Sequence, residues 1–273
     1  MMLTQLKKGM VVFSFAIFLA GCSMKSSDWI SKSFEMIFIV PMQRLLTLFS
    51  SWGGGHFGFG IIVLVILVRL CLLPFMVRQS KMSHRLRHIK PVVAPLINER
   101  KKQLKEAEKP EEKEIAHQKL MEKYKQYGMH PYQTMLGCLP VLLQIPILLG
   151  LLYAIKHPSH HILMTEMMFL DYDLRHPELV LTLLAGLLYF IQPLVNMGNF
   201  QHKRVSIILA ILMPLFIILT AMQTPSAIAL YWITNASFLI VQMACTNIIF
   251  GKRAQREAIN LERNLNTKID ESK

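Results

Sequence analysis

Residues 59–77 read FGIIVLVILVRLCLLPFMV. A helix rises about 1.5 Å per residue, so roughly 20 apolar residues cross about 30 Å of hydrocarbon. The stretch is long and apolar enough to do so, yet Arg69 stands in its middle. Ten residues in, the arginine lies about 15 Å deep, and Val77 is about 12 Å further on. That distance is too great for easy snorkelling to the surface. A central arginine costs roughly 2.5–3.5 kcal/mol on insertion scales. The pattern predicts a membrane helix that keeps a cation inside for a reason.

Four further runs have the same character: 134–155, 179–197, 205–222 and 225–250, none of which contains Asp, Glu, Lys or Arg. The chain is 53% hydrophobic with a mean hydropathy of +0.38, unusual for a soluble domain. Only helices or closed barrels satisfy the backbone in lipid, and the short alternating segments of a barrel are absent. The fold class expected is therefore all-α, a polytopic membrane protein with five transmembrane helices. Cys71, Cys138 and Cys245 lie in or beside the apolar runs, form no disulfide or zinc pattern, and read as small buried hydrophobes.

The first 22 residues, MMLTQLKKGMVVFSFAIFLAGC, have the layout of a signal peptide. Lys7 and Lys8 are followed by a short apolar core over 10–19. The ending Leu19-Ala20-Gly21-Cys22 is similar to the lipobox of bacterial lipoproteins, where the cysteine takes a diacylglycerol and becomes the mature N-terminus. Residues 1–21 are thus expected to be a cleaved signal peptide and Cys22 the lipidation site. The alternative is an uncleaved anchor with an incidental cysteine.

Charge tests the orientation independently. With the mature N-terminus outside, five spans place the C-terminus in the cytoplasm. The inner segments 78–130, 198–204 and 251–273 then hold 14, 2 and 6 Lys+Arg. The outer segments 22–58, 156–178 and 223–224 hold 3, 2 and 0. The bias agrees with the lipobox and predicts a bacterial cell membrane location.

Residues 28–50, within an outer segment 22–58, are apolar but interrupted by charges and by Pro41. They read as an amphipathic interfacial helix, or otherwise as a linker, leading through the glycine hinge SWGGGHFG at 51–58. Residues 78–133 read as a cytoplasmic helical hairpin. Val93, Leu96, Ile97 and Leu104 mark one stripe and Ile115, Leu120, Met121 and Tyr124 a less regular second, with a turn at Glu108-Lys109-Pro110-Glu111. Its 14 basic against 7 acidic residues suit acidic partners, or merely fix the topology. The tail 251–273 reads as polar, mildly basic, part helix and part disorder.

No run holds a carboxylate for Arg69, so the cation is expected to be hydrated or to await a partner from another chain, the structural alternative being a guanidinium bonded to carbonyls freed by the prolines. Polar residues fall at matching depth: Gln144 in the second run, and Asn235 in the fifth with Trp232 and Thr234 beside it. Gln192 and Asn196 lie deeper toward the inner side of the third. Convergence of these faces would line a wet recess, and Pro74, Pro140, Pro146, Pro193 and Pro214 would add irregular backbone to it. Taken singly, each Gln or Asn is more simply an interhelical hydrogen bond. Enzyme signatures are missing: no HExxH, GxSxG or phosphate loop occurs. The cluster His157, His160, His161 lacks acidic or cysteine neighbours, so no metal and no cofactor are expected.

The second run and its approach, YKQYGMHPYQTMLGCLPVLLQIPILLGLLYAI (124–155), resemble the YidC family of membrane-protein insertases. RLCLLPF (69–75) resembles the segment holding that family's intramembrane arginine. FLDYDLRHPE (169–178) is similar to its external segment before the third span, departing at Asp171. LYWITNASF (230–238) resembles its tyrosine-tryptophan motif. The likeness covers roughly 28–252.

The resemblance implies five conserved spans, an external amphipathic helix, a cytoplasmic hairpin, and a groove open to cytoplasm and lipid. It implies that Arg69, Gln144 and Trp232 line that groove; Asn235 is added here on its depth alone. It further implies an insertase and assembly chaperone rather than an enzyme. The expected partners are nascent membrane proteins and membrane lipids, with the ribosome, a targeting receptor and the main secretion channel behind them, and no DNA. Two rivals remain, a small-anion carrier using Arg69 and a lipoprotein scaffold. A carrier usually shows paired broken repeats, which five unequal runs do not.

Overall fold

The computed structural model describes residues 32–129, 139–156, 167–195, 197 and 203–270. The lipobox with Cys22, the His157 cluster, Asn196 and Cys138 lie outside the described residues. Among the described residues seven α-helices follow in chain order, named here α1 to α7. They are α1 Val40–Trp52, α2 Phe57–Glu106, α3 Pro110–Gln126, α4 Leu139–Lys156, α5 Leu179–Val195, α6 Lys203–Ala221 and α7 Ser226–Asp270. Two short strands, β1 Met168–Phe169 and β2 Tyr172–Asp173, pair before α5. Leu170, between them, takes a φ of 53° at the tight turn.

By length and composition two helices are able to cross a membrane, Phe57–Glu106 and Ser226–Thr267. The apolar α4, α5 and α6 are shorter, at 18, 17 and 19 residues. Large apolar side chains stand exposed along α5 and α6, among them Leu183, Leu187, Ile208, Ile211 and Phe216. Water would penalise such a band, whereas acyl chains solvate it. Cys71 and Cys245, expected to be buried, are exposed instead. A thiol is at ease against hydrocarbon, so a membrane helix has no need to bury it.

The chain divides into two units. The first comprises the described residues of Met1–Ile61 and Pro140–Tyr172. Here a wide helical turn at Glu35–Ile39 leads into α1, with the Val40 N–H bonded to Glu35 O. The widened turn lets the helix pass Pro41, which has no N–H to give. Residues 32–52 are therefore continuously helical, not interrupted at the proline. The turn that follows uses Gly54 and Gly55 at φ 70° and 92°. Gly60 then touches α1 so closely that a Cβ would stand 3.0 Å from both Leu46 O and Ser50 N.

The second unit comprises the described residues of Ile62–Leu139 and Asp173–Lys273. The first apolar run and the first arm of the hairpin share one helix: α2 has 50 residues, is about 75 Å long, and passes Pro74, Pro91 and Pro95. The prolines each withhold one N–H from the ladder, but the rest of so long a helix supports it. Pro146, Pro193 and Pro214 likewise sit inside continuous helices. Residues 251–270, expected to be part helix and part disorder, are helical throughout. They continue α7 without a break and pack on the hairpin.

The turn between α2 and α3 spans 107–109, with Pro110 opening α3 at a position where its missing N–H costs nothing. Ile89, Val93 and Ile97 of α2, Leu120 of α3, the following Tyr127 and Met129, and Ala258 of α7 form one buried cluster. Leu261 and Leu265 flank it. Ala254, Ala258, Leu261 and Leu265 alternate steps of four and three, the seam of a coiled coil. Ile115, expected on the stripe of α3, is exposed. Arg85 fastens the three pieces. Its Nε lies 2.8 Å from Glu257 Oε1 and its Nη1 donates to Gly128 O at 3.1 Å.

At the other end of α7, loop carbonyls receive the orphan N–H groups of the helix start. Ser226 N donates to His176 O and Ala227 N to Leu174 O, both at 3.1 Å. In that loop the Arg175 side chain and backbone N–H hold the Asp173 carboxyl below the usual carboxylate range.

His84 of α2 is buried, with neither ring nitrogen hydrogen-bonded by geometry. A Cβ added at Gly251 of α7 would stand 3.9 Å from it. Burial pushes its pKa down. The Asn247 side chain opposes this, and His88 and Arg87 add to the depression. A histidine held neutral contributes stability that is fully present above the ordinary value of about 6.5 and is lost as pH falls through it toward the depressed folded value. Thermal unfolding in detergent is expected to come at lower temperature at pH 5 than at pH 7.5. His84→Gln, neutral at both, is expected to shrink that gap. An unchanged gap would show that other groups carry it.

Candidate functional site

Arg69 lies in α2, one of the least exposed polar residues of the second unit at 6%. Its Nε donates to Asn235 Oδ1 of α7 at 2.7 Å, and its Nη2 donates to the same oxygen. Asn235 is equally buried, and its Nδ2 donates to Tyr189 OH of α5 at 3.2 Å. Three helices thus meet on a chain of guanidinium, carboxamide and phenol. Among the described residues no carboxylate pairs with Arg69; Asp and Glu ion pairs occur only at Glu257, Glu106 and Asp173. The guanidinium is therefore a buried charge held by a neutral dipole, which stabilises it less than a counter-ion would.

The helical spacing explains the assembly. Trp232 and Asn235 lie three apart on α7 and share a face, and Trp232 is buried one turn from the carboxamide. Thr234 turns its hydroxyl back to Leu230 O at 2.9 Å, away from the site. Of the residues singled out from sequence, Arg69, Trp232 and Asn235 belong to the second unit, and Arg69 and Asn235 are in direct contact. Gln144 is a half-buried residue of α4 in the first unit. Gln192 of α5 is half-buried, and its buried Oε1 has no hydrogen-bond partner among the described residues. Tyr189 escaped the sequence reading, since a tyrosine in an apolar run is unremarkable. Its spacing of three from Gln192 on α5 is the signal that marks it. The expectation that Arg69 has no partner within the chain is corrected: a neutral one occupies it.

No group of three or more metal-binding side chains occurs among the described residues. A buried guanidinium can hold and release an anion. The described residues define a predominantly helical protein with a buried cation on one of two helices long and apolar enough to cross a membrane.

Comparison with known proteins narrows the class. The family described as 60Kd inner membrane protein matches residues 48–253. The chain is 37% identical over 263 residues to "Membrane protein insertase YidC 1" of Staphylococcus epidermidis, covering 96% of this chain and 95% of the relative. It is 36% identical over 248 residues to "Membrane protein insertase YidC" of Staphylococcus aureus, covering 88% and 84%. For the Staphylococcus carnosus protein of the same name the identity is 35% over 243 residues, again 88% and 84%. The chain belongs to the YidC family.

Proposed function

We propose that this protein is a membrane-protein insertase and assembly chaperone of a bacterial cell membrane, and not an enzyme. The observation that carries the reading is a buried Arg69 whose only hydrogen-bond partner among the described residues is the neutral Asn235, in a chain of the YidC family. In this reading five helices span the membrane, the N-terminal segment with α1 lies outside, and the hairpin and the end of α7 lie in the cytoplasm. A lipidated Cys22 would anchor the mature N-terminus.

The route is a groove open to cytoplasm and lipid, with Arg69, Trp232 and Asn235 among its walls. A nascent passenger must bring a polar or acidic outer tail across hydrocarbon. A wet groove shortens the apolar distance. Arg69 pairs with a passenger carboxylate for a time and lowers its desolvation cost. The passenger's apolar segment then leaves along the exposed apolar faces of α5 and α7 into lipid, driven by burial from water. The basic hairpin and the α7 end offer a landing place to the ribosome, a targeting receptor or the main secretion channel.

The test is reconstitution of the purified chain in liposomes with a newly synthesised single-span passenger. A protease-protected passenger fragment is expected, scaling with the amount of protein. Protection no better than in empty liposomes would overturn the insertase reading.

A further inference from the structure

The Arg69 site carries its own placeholder. Asn235 Oδ1 receives two donors of the same guanidinium, Nε and Nη2, while its Nδ2 is tied to Tyr189 OH at 3.2 Å. The carboxamide is held at both ends, and Arg69 and Asn235 are each about 95% buried. We propose that Asn235 is a displaceable neutral occupant of the Arg69 fork, which an acidic passenger group must replace, so that Asn235 sets the preference of the site for carboxylates over neutral polar groups. This rests on the insertase reading above.

The chemistry of the exchange supports the selectivity. A carboxylate offers two oxygens to the two parallel N–H groups and a full opposite charge, making bonds roughly twice as strong as neutral ones. It gains on displacing a carboxamide that offers one oxygen. A passenger asparagine or glutamine gains nothing, because it replaces like with like and leaves Asn235 without its donors. The occupant therefore refuses neutral groups without holding an acid permanently. An aspartate at 235 would do the opposite: being tethered, it would neutralise Arg69 from within at high effective concentration. Tyr189 tightens the placeholder by holding its amide, and acts as a positioning residue.

The experiment compares two passengers that differ only in the outer tail, one carrying aspartates and one asparagines, in proteoliposomes of native protein, Asn235→Asp, Tyr189→Phe and Arg69→Ala. The readout is the ratio of acidic-tail to neutral-tail insertion, which misfolding does not move, since misfolding lowers both. Asn235→Asp is expected to cut the ratio at least about fivefold, toward that of Arg69→Ala. Tyr189→Phe, which loosens the placeholder, is expected to raise neutral-tail insertion relative to native. A native-like ratio in Asn235→Asp, whether both passengers fall together or neither falls, overturns the proposal. If native protein inserts neither passenger, the insertase reading fails instead. If native and Arg69→Ala proteins share one ratio, the charge-pairing part of that reading fails.

Discussion

Arg69→Ala is expected to lower insertion of single-span passengers with acidic outer tails at least about tenfold, equivalent to roughly 1.4 kcal/mol of barrier. On the insertase reading proposed above the effect is large, because Arg69 is the only Lys or Arg within residues 59–77 and a carboxylate entering hydrocarbon unpaired is costly. Arg69→Lys is expected to retain most of the activity, since an ammonium supplies the charge. It cannot present Nε and Nη2 together to Asn235 or to a carboxylate, so some loss measures the fork itself. Protease protection in proteoliposomes reads both. Equal protection of acidic passengers by native and Arg69→Ala protein would remove the arginine from the mechanism. Stability is a poor readout here, because the alanine removes a costly buried charge and at the same time strips Asn235 of its donors.

The second large effect lies at the other end of α2. Val93 is fully buried between α2, α3 and α7. Val93→Asp is expected to destabilise that cluster by at least about 3 kcal/mol, since it buries an acid with no partner. Local opening would then become roughly 100-fold more frequent, and cleavage of an opened segment follows the open population. Limited trypsin digestion in detergent should therefore cut within 78–129 and beyond 251 much faster, while the apolar helices stay intact. Unchanged cleavage would mean that the end of α7 and the hairpin do not hold each other. Arg85→Ala, which removes the tie to Glu257 and Gly128, is expected to act in the same direction and more weakly, as its pair with Glu257 is partly exposed.

What could be read in advance followed the strength of the physical signal. Long uncharged runs are legible because hydrocarbon leaves so little choice of residue, and α4 to α7 each overlap one. The turn before Pro110 was legible because proline is punctuation that few contexts override. The approach of Arg69 and Asn235 was legible as equal depth on two helices, but the hydrogen bond between them was not. Continuity was not. Pro74, Pro91 and Pro95 argue for breaks, and only the packed length of α2 overrules them. The end of α7 was misread because half of its seam is Ala254 and Ala258, whose small side chains give little hydropathy signal although they allow close approach. Ile115 shows the converse, an apolar residue at a plausible position that packs on nothing in that core. Gln144 falls at the right depth, but depth alone does not fix which way a helix turns its face.

The two longest helices are joined at two points. α2 carries Arg69 and Arg85, and α7 carries Asn235 and Glu257; the first pair on each forms one clasp and the second pair the other. Along α2 the clasps are about 24 Å apart and along α7 about 33 Å. Each clasp keeps the groups of the other close and so raises their effective concentration, and loss of either makes the other easier to open.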